Sequence, residues 1–216
     1  MPKLKQLFSS QEGKIFASGL ALLILYILGI MMVYIFSLKV ANDLTFMSIT
    51  NIIFGRAAGI SYGFASGFGD FVIVLSNIMI ESISVMIIYP LFVWSWNKSL
   101  NLELFEEYFL KVQNLREKYR DYFEKYGIYG LFLFVWFPFW MTGPVVGAII
   151  GFLIGLKHYT TMAIVLFGTS LAIVIWTYFL KEFLQILNQV SSYAPYILLG
   201  LFIAVAVYFK FRPNRE

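Results

Sequence analysis

The sequence predicts an all-α, polytopic helical membrane protein with two opposed re-entrant helical hairpins, an inverted repeat. Three observations predict this. The chain contains several stretches too long and too apolar for a soluble domain. Two series of four glycines recur at a constant separation. The basic residues between the apolar stretches fall mostly on one side of the topology those stretches allow.

Of 216 residues, 60% are hydrophobic and 13% are charged, about half the charged share of an ordinary soluble domain. Uncharged runs cover 15–38, 126–156, 158–180 (with a neutral histidine) and 183–209, and a membrane-crossing helix needs ~20 such residues. The net charge of +4 does not point to nucleic acid, because the bases flank apolar runs and are explained by topology. The chain has no cysteine, which excludes disulfides and thiolate metal ligation.

Residues 15–38 read as a first, retained span, too long for a signal-peptide core. Residues 44–69, with glycines at 55, 59, 63 and 67, read as a re-entrant hairpin. Residues 70–97 form the next span, with Trp94 and Trp96 suited to an interface. Residues 98–125 contain six acids and six bases, with apolar residues every three or four positions, so they read as a cytoplasmic amphipathic helix. Residues 126–156 form a second hairpin with glycines at 143, 147, 151 and 155. Spans at 159–180 and 193–209 complete a single transmembrane domain.

Each glycine position of the first series plus 88 gives one of the second, and an internal repeat is the economical reading. Pro138 and Pro144 favour helix breaks in the second hairpin, because proline cannot donate a backbone hydrogen bond. If both glycine blocks are re-entrant, the tail lysines, the bases of 98–125, Lys157 and the basic C-terminal tail share one side. By the positive-inside rule that side is the cytoplasm, and both termini lie there. A single crossing at 126–156 would break this asymmetry. Tight packing at small residues is the competing explanation for the glycines.

Arg56, Asp70 and Glu81 fall in or near membrane-depth sequence, where charges pair or mark a functional site. From Asp70, helical steps reach Asn77, Glu81 and Ser84, a polar stripe on one face. This stripe could bind a cation, relay a proton or line a polar path. Arg56 could bind an anionic group or pair with Glu81, and a purely structural pair is the competing reading. His158, the one histidine, reads as an interfacial residue. With no cysteine and no carboxylate cluster, neither a metal site nor a cofactor is expected. No catalytic triad, phosphate loop or dinucleotide fingerprint occurs, so no enzymatic activity is expected.

Residues 124–156, "EKYGIYGLFLFVWFPFWMTGPVVGAIIGFLIGL", resemble the small multidrug export protein family, which is similar to the wider DedA (VTT-domain) superfamily. Tyr126, Gly127, Gly130 and Phe132 fit that family's lead-in. Pro138, Thr142, Gly143 and Gly147 fit its proline-threonine-glycine block, while Trp140, Pro144 and Val145 depart from it. In the first half, Arg56 and Ala58 match a Glu-Leu-Arg-Gly-Ala stretch, and Phe54 stands where the family has glutamate. The resemblance implies paired re-entrant hairpins and a transport-related role.

The functional expectation is a small-solute transporter or exporter in the plasma membrane, with proton coupling open. The alternatives are a lipid or lipid-phosphate flippase or scramblase, and a non-transporting scaffold or assembly factor. The candidate substrate- or ion-binding residues are Arg56, Asp70, Asn77, Glu81, Pro138, Thr142, Gly143 and Pro144. The expected partners are the bilayer and a small-molecule or lipid substrate, with homo-oligomerisation open.

Overall fold

The computed structural model describes residues 8–96, 120–136 and 143–188, with Tyr193, 196–197, 200–201 and Ala204. Seven helices form among them: α1 (Gln11–Phe36), α2 (Leu38–Phe54), α3 (Arg56–Ala65), α4 (Asp70–Trp96), α5 (Arg120–Trp136), α6 (Gly143–Leu153) and α7 (His158–Asn188). Three of them, Gln11–Phe36, Asp70–Trp96 and the His158–Ile186 stretch of α7, are long and apolar enough to cross a membrane. Most of the amphipathic segment 98–125 and most of the span 193–209 lie outside the described residues.

Local chemistry sets the helix boundaries. Ser10 caps α1, its hydroxyl accepting the Gly13 N–H at 3.1 Å. Ser37 ends α1 and caps α2, accepting the Val40 N–H on its hydroxyl at 3.4 Å, with an extended backbone (φ −158°, ψ 105°) between the two helices. The chain folds back there. Tyr26 and Ser48, each eleven residues from Ser37, share a hydrogen bond of 2.6 Å between their hydroxyls.

A single residue makes the next reversal. Gly55 has φ 88° and ψ 174°, a region essentially confined to glycine. Its N–H donates to the Asn51 carbonyl at 2.8 Å, closing α2, and its carbonyl accepts from Gly59 at 3.1 Å, opening α3. Because α2 and α3 run antiparallel about Gly55, Asn51 lies against Gly59 and Met47 against Gly63.

The turns after α3 and α6 match bond for bond. Gly67 (φ 79°) and Gly155 (φ 84°) both have positive φ. Gly67 donates to Phe64 and Phe68 to Gly63, while Gly155 donates to Phe152 and Leu156 to Gly151, all at 3.0 Å. This is the Schellman termination of a helix, repeated 88 residues on. The Cβ that Gly63 lacks would meet Ile73, and the one Gly151 lacks would meet Thr161, again 88 apart. The arms leading into α3 and α6 follow a different offset. Gly59 meets Asn51 and Gly63 meets Met47, whereas Gly147 meets Val135 and Gly151 meets Leu131. Those partners are 84 residues apart, so the second hairpin has four more residues, about one helical turn, between its arms.

The chain divides into two compact units. One takes α1 as far as Ile24, α4 from Ser82, α5, α6, and α7 as far as Thr169. Its core is built on Ile15, Val85, Tyr89, Phe92, Val135 and Val165. Within it, Gly19 lets α1 approach α4, since a Cβ would come within 2.8 Å of Met86. The other unit takes α1 from Leu25, α2, α3, α4 as far as Glu81, and α7 from Ser170. Its core contains Met47, Ile60, Ile73, Leu180 and Leu184. Large apolar side chains remain on the outside, among them Ile35 at 80%, Phe71 at 76% and Phe167 at 67% exposure. A soluble monomer does not expose apolar surface so widely; a bilayer covers it.

Several boundaries differ from the sequence reading: the first helix runs Gln11–Phe36 where 15–38 was expected, and α2 starts at Leu38, ahead of the expected 44. Helix α5 begins at Arg120, inside the segment expected to be amphipathic. Helix α7 continues past Lys181 to Asn188, because a lysine, which here pairs with Asp70, is a good helix former and its charge limits the apolar span without ending the helix.

Candidate functional site

Four polar side chains of the unit that contains α2 and α3, Asn51, Arg56, Asn77 and Glu81, meet where α2, α3 and α4 converge. The Gly55 reversal places Arg56 at the first position of α3. Glu81 lies eleven residues into the 27-residue α4. Arg56 Nη2 and Glu81 Oε2 are 3.1 Å apart, with side chains only 4% and 8% exposed. The two charges attract at this range, yet neither atom is aligned for a hydrogen bond, and Arg56 Nη1 also has no hydrogen-bond partner among the described residues. A guanidinium carries five N–H donors, so donor capacity remains at this buried point.

Two asparagines complete the cluster. Asn51 Nδ2 donates to Asn77 Oδ1 at 2.6 Å and, more weakly, to Glu81 Oε1 at 3.4 Å. Asn77 Nδ2 donates to the Ile73 carbonyl of its own helix at 2.7 Å, which fixes the direction of its amide. Gly59 makes the arrangement possible. A Cβ there would lie 2.6 Å from Asn77 Oδ1 and 2.7 Å from Asn51 Cβ.

Arg56, Asn77 and Glu81 are thus brought together. Asp70 is not with them: it begins α4 and pairs with Lys181, both side chains about a third exposed. Gly143 and Pro144 are buried in the first turn of α6, where a proline costs no helix hydrogen bond. They belong to the other unit. Pro138 and Thr142 lie outside the described residues. Asn51 was not among the residues expected from the sequence. The available signal was a lone amide in an apolar stretch four residues before the first glycine of the series.

Three long apolar helices and a buried ion pair define a multi-pass helical membrane protein in contact with the lipid bilayer. The family model described as "Putative small multi-drug export protein" matches residues 55–175. That is more than half of the 216 residues, and the chain belongs to this family. The match starts at the Gly55 reversal and includes Arg56, Asn77 and Glu81. No curated protein and no solved structure matches the chain.

Proposed function

We propose that the protein is a small-solute exporter of the plasma membrane, and that its substrate or coupling ion engages the Asn51–Arg56–Asn77–Glu81 cluster. The observation that carries this reading is the buried Arg56–Glu81 pair with guanidinium nitrogens short of hydrogen bonds. Such a pair can exchange partners. An anionic group can take Arg56, and a cationic one can take Glu81. A carboxylate released from its cation in an apolar interior is costly as an anion, and proton uptake neutralises it. That exchange would couple a solute to a proton without covalent chemistry, so the protein would not be an enzyme.

The topology we propose with it is an inverted repeat of two re-entrant hairpins, with both termini cytoplasmic. Helix lengths support re-entry. Helices α3 and α6 have 10 and 11 residues, and at about 1.5 Å per residue they fall well short of a ~30 Å hydrocarbon core. The 88-residue correspondence of the two turns supports the repeat, and transporters built this way place their sites at broken helices.

One second reading has a specific observation behind it. A buried Arg56–Glu81 pair is also what a non-transporting scaffold would contain. Proteoliposome flux separates the two. The assay follows ethidium, a lipophilic cation, and a fluorescent phospholipid, with and without a pH gradient. Exporter function predicts gradient-dependent ethidium movement above empty vesicles, and at least a tenfold loss in Glu81→Gln. Phospholipid movement alone would replace the exporter with a flippase. Movement of neither probe would favour the scaffold.

A further inference from the structure

The other unit holds its own set of polar side chains, gathered at the start of α7. The Tyr89 hydroxyl of α4 lies 2.7 Å from Nδ1 of His158. The Nε2 of the same ring lies 3.0 Å from Glu12 Oε1 of α1. The His158 and Glu12 side chains are partly exposed, at 22% and 15%, and Tyr89 is fully buried. Phe152 of α6 stacks on the imidazole at 6.0 Å and meets the Tyr89 ring edge-on at 6.4 Å. The Thr161 hydroxyl of α7 lies beside the phenol but short of hydrogen-bond geometry, and it is buried with no partner. Thr161 is also the residue that fills the space left by Gly151 of α6.

We propose that Glu12, His158, Tyr89 and Thr161 form a proton-responsive relay, in which protonation of His158 is read out as tighter tethering of α4 to α7 beside the α6–α7 turn. The hydrogen bonding dictates the two states. With a neutral ring, the Glu12 carboxylate 3.0 Å from Nε2 favours the hydrogen on Nε2, and Nδ1 then accepts from the Tyr89 hydroxyl. With a protonated ring both nitrogens are donors. The phenol oxygen must then accept, and its hydrogen must turn to another acceptor. The Thr161 hydroxyl, adjacent and unpartnered, is the acceptor in place. Among the described residues, the titratable groups facing His158 are Glu12 from α1 and Tyr89 from α4. Lys157 and Tyr159 flank it in sequence, and α6 offers only the Phe152 ring. Histidine is the side chain suited to such a change between pH 5 and 8.

The test uses the full chain in nanodiscs. Because the chain has a single histidine, nitrogen-15 labelling of histidine gives one ring to assign. The relay predicts the Nε2–H tautomer at pH 8. Hydrogen–deuterium exchange over residues 150–162, corrected for the intrinsic pH dependence of exchange, should slow at least threefold from pH 8 to pH 5.5. In Tyr89→Phe the ring should still take up a proton, but the exchange should no longer respond. Thr161→Val should behave the same way, so the test does not depend on the folding of a histidine variant. An Nδ1–H tautomer at pH 8 would overturn the proposal. So would an unresponsive wild type, or an acid-induced change that survives in Tyr89→Phe.

Discussion

A Cβ at Gly59 would collide with Asn51 and Asn77; one at Gly147, 88 residues on, would collide with Val135 at 2.4 Å. The glycine does the same geometric work in both hairpins, letting two antiparallel arms approach closely. What lies beneath it differs. The positions of Asn51, Arg56, Asn77 and Glu81 in one hairpin correspond to Val135, Pro144, Val165 and Thr169 in the other. The shape of the turn and its hydrogen bonds recur, while among the described residues only the first set of these positions carries a buried Arg–Glu pair. The turn therefore does not require the charge pair, since the corresponding positions of the second set are uncharged: two valines, a proline and a threonine.

The strongest way to break this comparison is to remove one charge. Arg56→Leu should destabilise the protein by about 3–5 kcal/mol, because it strands Glu81 as a buried lone charge. Arg56→Leu combined with Glu81→Leu, which moves the first hairpin towards the second, should recover most of that loss. Denaturant unfolding in detergent measures both. Next come the glycines. Gly59→Ala and Gly147→Ala should each cost about 1–3 kcal/mol by overpacking, whereas Gly29→Ala, with nothing within 4 Å, should leave the unfolding midpoint in place. Only Gly59→Ala should also alter flux. Exchanging residues between the hairpins sharpens the comparison further. Asn51→Val should cost about 1–3 kcal/mol by removing the donor that Asn77 and Glu81 share. Val135→Asn should cost a similar amount, about 1–3 kcal/mol, by burying an amide without partners. The smallest effect is expected for Lys181→Met, which removes a partly exposed pair. Its thermal midpoint should be indistinguishable from wild type.

The membrane class was legible in the sequence, and so was the 88-residue spacing of the glycines that end α3 and α6. A Schellman turn is written locally, by a glycine at the right place after an apolar helix. Asn77 and Glu81 were legible because they share one helix face four residues apart. Asn51 was not, because its partners lie 26 and 30 residues away in α4, and it takes the reversals at both Gly55 and Gly67 to bring them near. The 84-residue offset of the leading arms was hidden by the extra turn in the second hairpin. His158 was legible as a polar residue at a helix start, but its partners were not. Glu12 and Tyr89 come from two other helices, and no periodic pattern links them.

The division of α4 and α7 between the units has a consequence in time. Synthesis delivers Met47, Ile60 and Ile73 early, yet the core they belong to also needs Leu180 and Leu184. The core of the other unit runs from Ile15 to Val165. The unit containing Arg56 and Glu81 begins to emerge before most of its counterpart and is completed after it. A growing chain must therefore hold its buried charge pair in a half-built shell for about a hundred residues of translation, roughly 5–20 s at ordinary elongation rates.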